Sequence, residues 1–180
     1  MTIIWINGTF GVGKTTTAGK LVELIEGSRL FDPEHVGYLL RANLQDYQVT
    51  DFQQLPPWRT LVPIVMDELI RFTGHHVIAV QTVLTESYWH ELAAGLRARD
   101  HDLVHVVLDA DAATLHTRID ADPEGHDIRP WRHDHVDEYA TARPWLTKAA
   151  NLTIDTTTNS AAEVATEIKS YVENSTPNVG

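Results

Sequence analysis

The chain has 180 residues, a formal net charge of -11, 43% hydrophobic residues and no cysteine. That length suits one core of ordinary size rather than two generous ones. The acidic balance argues against a general nucleic-acid binder, which needs clustered Lys and Arg, and the missing cysteines exclude disulfides, zinc–cysteine sites and thiol nucleophiles.

The opening "MTIIWING" has no basic leader and its apolar run stops at Asn7, so it reads as neither a signal peptide nor a membrane span, and a cytoplasmic location is expected. "TIIWIN" is a short, β-branched, continuously apolar strand of the kind buried on both faces of a parallel sheet, with Trp5 in the core. "KTTTAGKLVELIEG" follows at helical spacing and is expected to stop at Gly27. "SRLF" is a second strand, and "DPEHVGYLLRANL" a helix with Asp32 as N-cap and Pro33 in its first turn. The Pro-Pro pair of "QDYQVTDFQQLPPWR" predicts a loop, and "TLVPIVMDELIRF" returns to helix.

"HHVIAVQTVL" is a third strand, "TESYWHELAAGLRARD" a helix capped by Thr85, and "LVHVVLDA" a fourth strand. A helix from about Ala112 to Ile119 leads into the polar loop "DADPEGHDI". The helix around "HDHVDEYATARPWL" is expected to break at Pro144. "NLTIDTTT" is a fifth strand, and a Ser160–Glu163 capping box opens the last helix. The polar end "ENSTPNVG" reads as a flexible tail, with the domain spanning 1–174 and the tail 175–180. Strands alternating with helices predict a three-layer α/β fold with a five-stranded parallel sheet and ligands at the carboxyl ends of its strands.

Gly8, Gly13, Lys14 and Thr15 satisfy G-x-x-x-x-G-K-[ST] between a predicted strand and a predicted helix. In that context the backbone of Gly8, Thr9, Phe10, Gly11, Val12, Gly13, Lys14, Thr15 and Thr16 is expected to wrap a phosphate. Lys14 would reach its outer oxygens and Thr15 would ligate Mg²⁺. There is no N-K-x-D-like stretch and no D-x-x-G after a strand, so ATP is favoured over GTP. The third strand ends in Gln81 and Thr82 rather than paired acids, and Asp111 reads as a helix cap beside Asp109, which weakens a hydrolysis-motor reading.

On the acceptor side, the Asp32 carboxylate either accepts a proton from an acceptor hydroxyl or caps the helix it begins, with Glu34 as the alternative base. Arg118, Arg129 and Arg132 flank the "DADPEGHDI" loop and could close over a transferring phosphoryl group. Arg41, Tyr47, Phe52, Trp58 and Arg59, with Gln81, either build an acceptor site or anchor the long loop. His133 and His135 lack a third ligand and read as a solvated helix start rather than a metal site.

"IIWINGTFGVGKTTTA", "FDPEHVGYLLR", "DFQQLPPWR" and "LHTRID" together resemble the tunicamycin-resistance proteins. More broadly, the layout is similar to small P-loop kinases of the shikimate, gluconate and chloramphenicol-phosphotransferase type. The resemblance implies the kinase strand order 2-3-1-4-5, a lid, and an ATP- and Mg²⁺-dependent protein that protects against a nucleoside antibiotic by phosphorylating or holding it. A housekeeping sugar or nucleoside kinase is the further alternative. In the related kinases an acid after the second strand activates the acceptor hydroxyl, and Asp32 matches that position. Their lid arginines match Arg118 to Arg132 loosely.

Overall fold

The computed structural model describes residues 1–47, 49–123 and 126–175. Strands β1 (Thr2–Asn7), β2 (Ser28–Phe31), β3 (His76–Val80), β4 (Asp102–Asp109) and β5 (Leu152–Asp155) form one sheet in the order β2-β3-β1-β4-β5. Every pairing is parallel, with Ile4 of β1 opposite Ile78 of β3 and Val104 of β4. Parallel neighbours require crossovers, supplied by α1 (Lys14–Leu24), α2 (Glu34–Asn43), α3 (Pro56–Thr73), α4 (Glu86–Arg97), α5 (Ala112–Ala121) and α6 (Arg129–Ala149), while α7 (Ala161–Ser175) follows β5 and packs beside α1.

The pleat of β1 sorts its side chains into two cores. Ile4 and Ile6 pack with Leu21 of α1 and Ile168 of α7. Ile3 and Trp5 pack with Trp58, Val62 and Met66 of α3 and with Trp89 and Leu92 of α4. This explains why the strand reads as apolar throughout and why Trp5 is a core residue. Among the described residues no helix is long and apolar enough to cross a membrane.

Several boundaries differ from the sequence reading, most of them at prolines or glycines. Pro56 opens α3 instead of continuing the loop, because a proline in the first turn of a helix sacrifices only an N–H that has no partner there. Pro144 does not break α6, which runs on from Arg129 to Ala149. Tyr139, Ala142 and Leu146 bury one face of that helix against Val107, and Arg143 is bonded to Asp109, so tertiary contacts on both sides of Pro144 outweigh the lost hydrogen bond. Helix α1 ends at Leu24, and Gly27 (φ +66°) instead turns the chain toward β2. Helix α7 carries through Ser175, and residues 176–180 of the expected tail lie outside the described residues. The Ser160–Glu163 box forms as expected, with the Ser160 N–H donating to Glu163 Oε2 at 2.8 Å.

His105 sits fully buried on β4, stacked on Trp89 with ring centroids 3.8 Å apart. Burial draws its pKa from 6.5 to about 4, against the opposing pull of the Ala149 carbonyl. Between those values the unfolded chain binds a proton that the folded one excludes, so this contribution to stability is whole above pH 6.5 and fades as pH falls toward 4. Urea midpoints at pH 7 and pH 5 are expected to differ more in the wild type than in a His105→Gln variant. Equal differences would remove His105 from the acid response.

Candidate functional site

The loop from Gly8 to Gly13 carries β1 into α1, and its geometry follows from its glycines. Gly8 has φ +137°, and a Cβ there would lie 2.6 Å from the Leu108 carbonyl oxygen, so no larger residue fits. Gly13 adopts φ +91° at the start of α1 with open space around it, so its requirement is conformational alone.

The loop's carbonyl groups are engaged by the protein. The Thr82 hydroxyl donates to the Gly8 carbonyl at 2.8 Å, Lys14 Nζ to that of Thr9 at 2.8 Å, and Arg118 Nη1 to that of Gly11 at 3.4 Å. The Thr156 hydroxyl lies 3.1 Å from the Val12 carbonyl, and the Thr17 N–H donates to the Gly13 carbonyl at 2.9 Å. The loop's N–H groups differ: Gly8 donates to Asn7 Oδ1 at 2.8 Å, while those of Thr9 through Gly13 have no partner among the described residues. Unpaired backbone donors grouped at a helix N-terminus are what an anion requires.

Asn7 organises the floor of this arrangement. Fully buried, it accepts from both the Gly8 and Val83 N–H groups through Oδ1 and donates to the Val83 carbonyl through Nδ2. It thus fixes the start of the loop against the exit of β3.

Lys14 is half-buried, and that burial lowers its pKa from 10.5 to about 7. The Glu34 carboxylate opposes this shift and the Arg132 guanidinium reinforces it. Thr15 is exposed and its hydroxyl makes no hydrogen bond among the described residues.

A cavity of about 1390 Å³ opens over the loop and the carboxyl ends of the strands. It is lined by the loop, by Asp32 and Glu34, by Arg41 and Asp51 to Gln54, by Gln81, Thr82 and Tyr88, and by Arg118, Trp131 and Arg132. Its volume exceeds the usual range for a single small ligand, roughly 300–1,000 Å³.

Asp32 is exposed at the end of β2 and divides its two oxygens. Oδ1 accepts from the Glu34 N–H at 2.9 Å, which is a helix-capping contact, and Oδ2 has no hydrogen-bond partner among the described residues. Glu34 Oε2 accepts from the Tyr38 hydroxyl at 2.9 Å. Phe52 enters the cavity from the turn Phe52–Gln54, with the Arg41 guanidinium 4.5 Å from its ring centroid.

Other expected site residues lie elsewhere. Trp58 is 0% exposed and donates to the Pro33 carbonyl at 3.0 Å, a core anchor outside the cavity lining. Arg59 is buried, paired with Glu91 at 2.7 Å, bonded to the Gln53 carbonyl and laid over Tyr88, so it braces the cavity wall from behind. Tyr47 borders a smaller cavity of about 280 Å³ beside Arg41.

The three arginines take separate places. Arg118 ties the phosphate loop to the exit of β5, donating to the Thr156 carbonyl at 2.7 Å, and also lines the cavity. Arg132 lines the cavity above Phe10 and pairs with Asp122 at 2.7 Å. Arg129 contacts Asp120 at 4.0 Å and the Asp122 carbonyl at 3.3 Å, and does not line the cavity. Within "DADPEGHDI", residues 124 and 125 lie outside the described residues, while the expected loop closes with a turn at 126–128 directly before α6.

Asp111 caps α5 through the Thr114 N–H at 2.8 Å, and Asp109 is held by Tyr139 and Arg143. Among the described residues no group of three His, Cys, Asp or Glu could hold a metal ion. The sequence reading missed Asn7, Thr82 and Thr156, whose only signal was a polar side chain ending an apolar strand, and missed Tyr88 and Trp131 as cavity walls.

Gly37 of α2 explains how Phe52 is seated: a Cβ at this position would lie 2.4 Å from the ring. Alanine gains about 1 kcal/mol of helix propensity, while forcing an extra carbon into a filled contact costs about 1–3 kcal/mol. Gly37→Ala is therefore expected to lower unfolding free energy by about 1 kcal/mol, checked by urea denaturation. An unchanged or raised midpoint would show that Phe52 moves freely.

The strand order, the phosphate loop and the cavity at the carboxyl ends together define a P-loop α/β protein of the kinase-like class. The AAA domain family matches residues 3–128, and the chain belongs to it. It is similar to the solved tunicamycin resistance protein of Deinococcus radiodurans, with 26% identity, 96% of each chain covered and a TM-score of 0.76. A shikimate kinase from Acinetobacter baumannii shares 19% identity over 99% of this chain and 96% of its own, with a TM-score of 0.63. A gluconokinase from Sinorhizobium meliloti shares 17% over 96% and 92%, with a TM-score of 0.64. The two kinases are likenesses of fold. Among curated proteins none matches the chain.

Proposed function

We propose that this protein is an ATP-dependent phosphotransferase that protects against a nucleoside antibiotic such as tunicamycin by moving the γ-phosphate of ATP to a drug hydroxyl. The observation that carries the nucleotide half is the row of unpaired N–H groups from Thr9 to Gly13, with every carbonyl around it engaged except that of Phe10. The resistance half rests on the likeness to the tunicamycin resistance protein along nearly the whole chain.

Lys14, Arg132 and Asp32 line the cavity; in this reading Lys14 and Arg132 would meet the outer phosphates and Asp32 the acceptor. Asp32 Oδ2 accepts the proton as the acceptor oxygen bonds to the γ-phosphorus and the bond to the β-phosphate oxygen breaks, leaving ADP. The free Thr15 hydroxyl suits a Mg²⁺ ligand, and bound Mg²⁺ would supply charge neutralisation on the phosphates. Gln81, where an acid would otherwise end β3, leaves Mg²⁺ fewer carboxylates from the protein.

Incubation with Mg·ATP and tunicamycin or related nucleosides is expected to yield a product heavier by one phosphate in the mass spectrum. The capping contact of Asp32 Oδ1 favours a second reading, in which the ATP-loaded protein binds the drug without chemistry. Saturable, ATP-dependent drug binding without any phosphorylated product would establish that reading and end the first.

A further inference from the structure

We infer that the ligand of the acceptor end is an uncharged polyhydroxylated molecule, a sugar or a nucleoside carrying neither carboxylate nor phosphate. The inference rests on the cavity being the acceptor site of the proposed function, and it divides that site's candidates by charge.

The lining at the β2–β3 end is rich in groups that accept hydrogen bonds. Asp32 Oδ2 is free, and Asp51 presents a second carboxylate whose oxygens accept from the Gln53 N–H at 2.9 Å and the Gln53 amide at 3.2 Å. A carboxylate oxygen has further lone pairs beyond one such contact. The Gln53 amide nitrogen also donates to the Thr82 carbonyl at 2.9 Å, which leaves its carbonyl oxygen as the atom it offers a ligand. Hydroxyl groups satisfy such a wall, whereas an anion is repelled by it.

The cations that could offset this wall are each held by another partner. Arg59 is buried against Glu91, the Gln53 carbonyl and the Tyr88 ring, outside the cavity lining. Arg41 lines the cavity with its guanidinium over Phe52, and the other lining cations sit at the phosphate loop, Lys14 and Arg118 bonded to loop carbonyls and Arg132 paired with Asp122.

Gln81 supplies the independent sign of a ligand. It is 8% exposed, lines the cavity, and its side-chain amide makes no hydrogen bond among the described residues. The amide is neutral, able both to donate to and to accept from the hydroxyls of a polyol.

The test is equilibrium binding with a non-hydrolysable ATP analogue and Mg²⁺ present, read by calorimetry on matched probes: glucose against gluconate, and uridine against its 5′-monophosphate. The neutral member of each pair is expected to bind at least about tenfold tighter. Asp51→Asn, which keeps an oxygen for the Gln53 N–H, is expected to narrow that ratio by about threefold. Gln81→Leu is expected to weaken the neutral probe by about tenfold while leaving the analogue's affinity unchanged. An anionic probe that binds as tightly as its neutral partner, or no binding by any probe, overturns the inference. Because binding is read without transfer, a preference for neutral probes survives even where no phosphate moves, so the two readings fail separately.

Discussion

Replacing Lys14 with alanine is expected to lower ATP-dependent turnover by about 10²–10³-fold, the usual loss when one charged stabiliser of a developing anion is removed. The fold should survive, because the side chain's one hydrogen bond among the described residues is to the Thr9 carbonyl of its own loop. The wild type also carries a proton signature. Phosphate oxygens raise the pKa of a lysine that is held at about 7 in the free protein, so nucleotide binding above that pH takes up a proton. Affinity is then expected to fall as pH rises from 7 toward 9, with calorimetry in buffers of different ionisation heat reporting the uptake. A Lys14→Ala protein that still takes up the proton would move its origin to another group.

Asp32→Asn separates the two tasks of this side chain. Asparagine keeps an oxygen for the Glu34 N–H, so the cap is retained, while the group that would accept a proton is lost. Turnover should fall by about 10²–10⁴-fold, with nucleotide affinity and the unfolding midpoint close to those of the wild type. Asp32→Ala should add a loss of about 1 kcal/mol in stability, because the cap goes too. Undiminished turnover in Asp32→Asn would leave Asp32 as a helix cap alone.

Much of the fold was legible because a buried parallel strand writes a continuous apolar run: "TIIWIN" coincides with β1, while "SRLF" coincides with the edge strand β2, where only Phe31 is buried. The phosphate loop was legible because its chemistry depends on close spacing along the chain. Prolines misled in two ways: Pro56 opens α3, whose first turn tolerates it, and tertiary contacts carry α6 through Pro144. The sequence offers Asp32 as cap or base, and the structure gives one oxygen to the Glu34 N–H and leaves the other without a hydrogen bond among the described residues.

What could not be read lies in contacts between distant segments. Thr82 and Gly8 are 74 positions apart, and Thr156 and Val12 are 144 apart, so neither hydroxyl carries any local mark of supporting the loop. Phe52 and Trp58 are equally aromatic and close in sequence, yet one lines the cavity and the other is fully buried. Only the path of the chain around Gly37 and Pro33 separates them.

The engaged carbonyls of the phosphate loop bear on time as well as on place. Thr82, Thr156 and Arg118 grip the loop from β3 and β5 and from α5, so its curvature is set when the sheet assembles. A cradle already curved asks little reordering entropy of an arriving nucleotide, and capture can proceed at the rate of encounter rather than of loop rearrangement. Deuterium exchange would register this as rapid labelling of the outward amides in the free protein, quenched on binding, with little change in the strands that hold them.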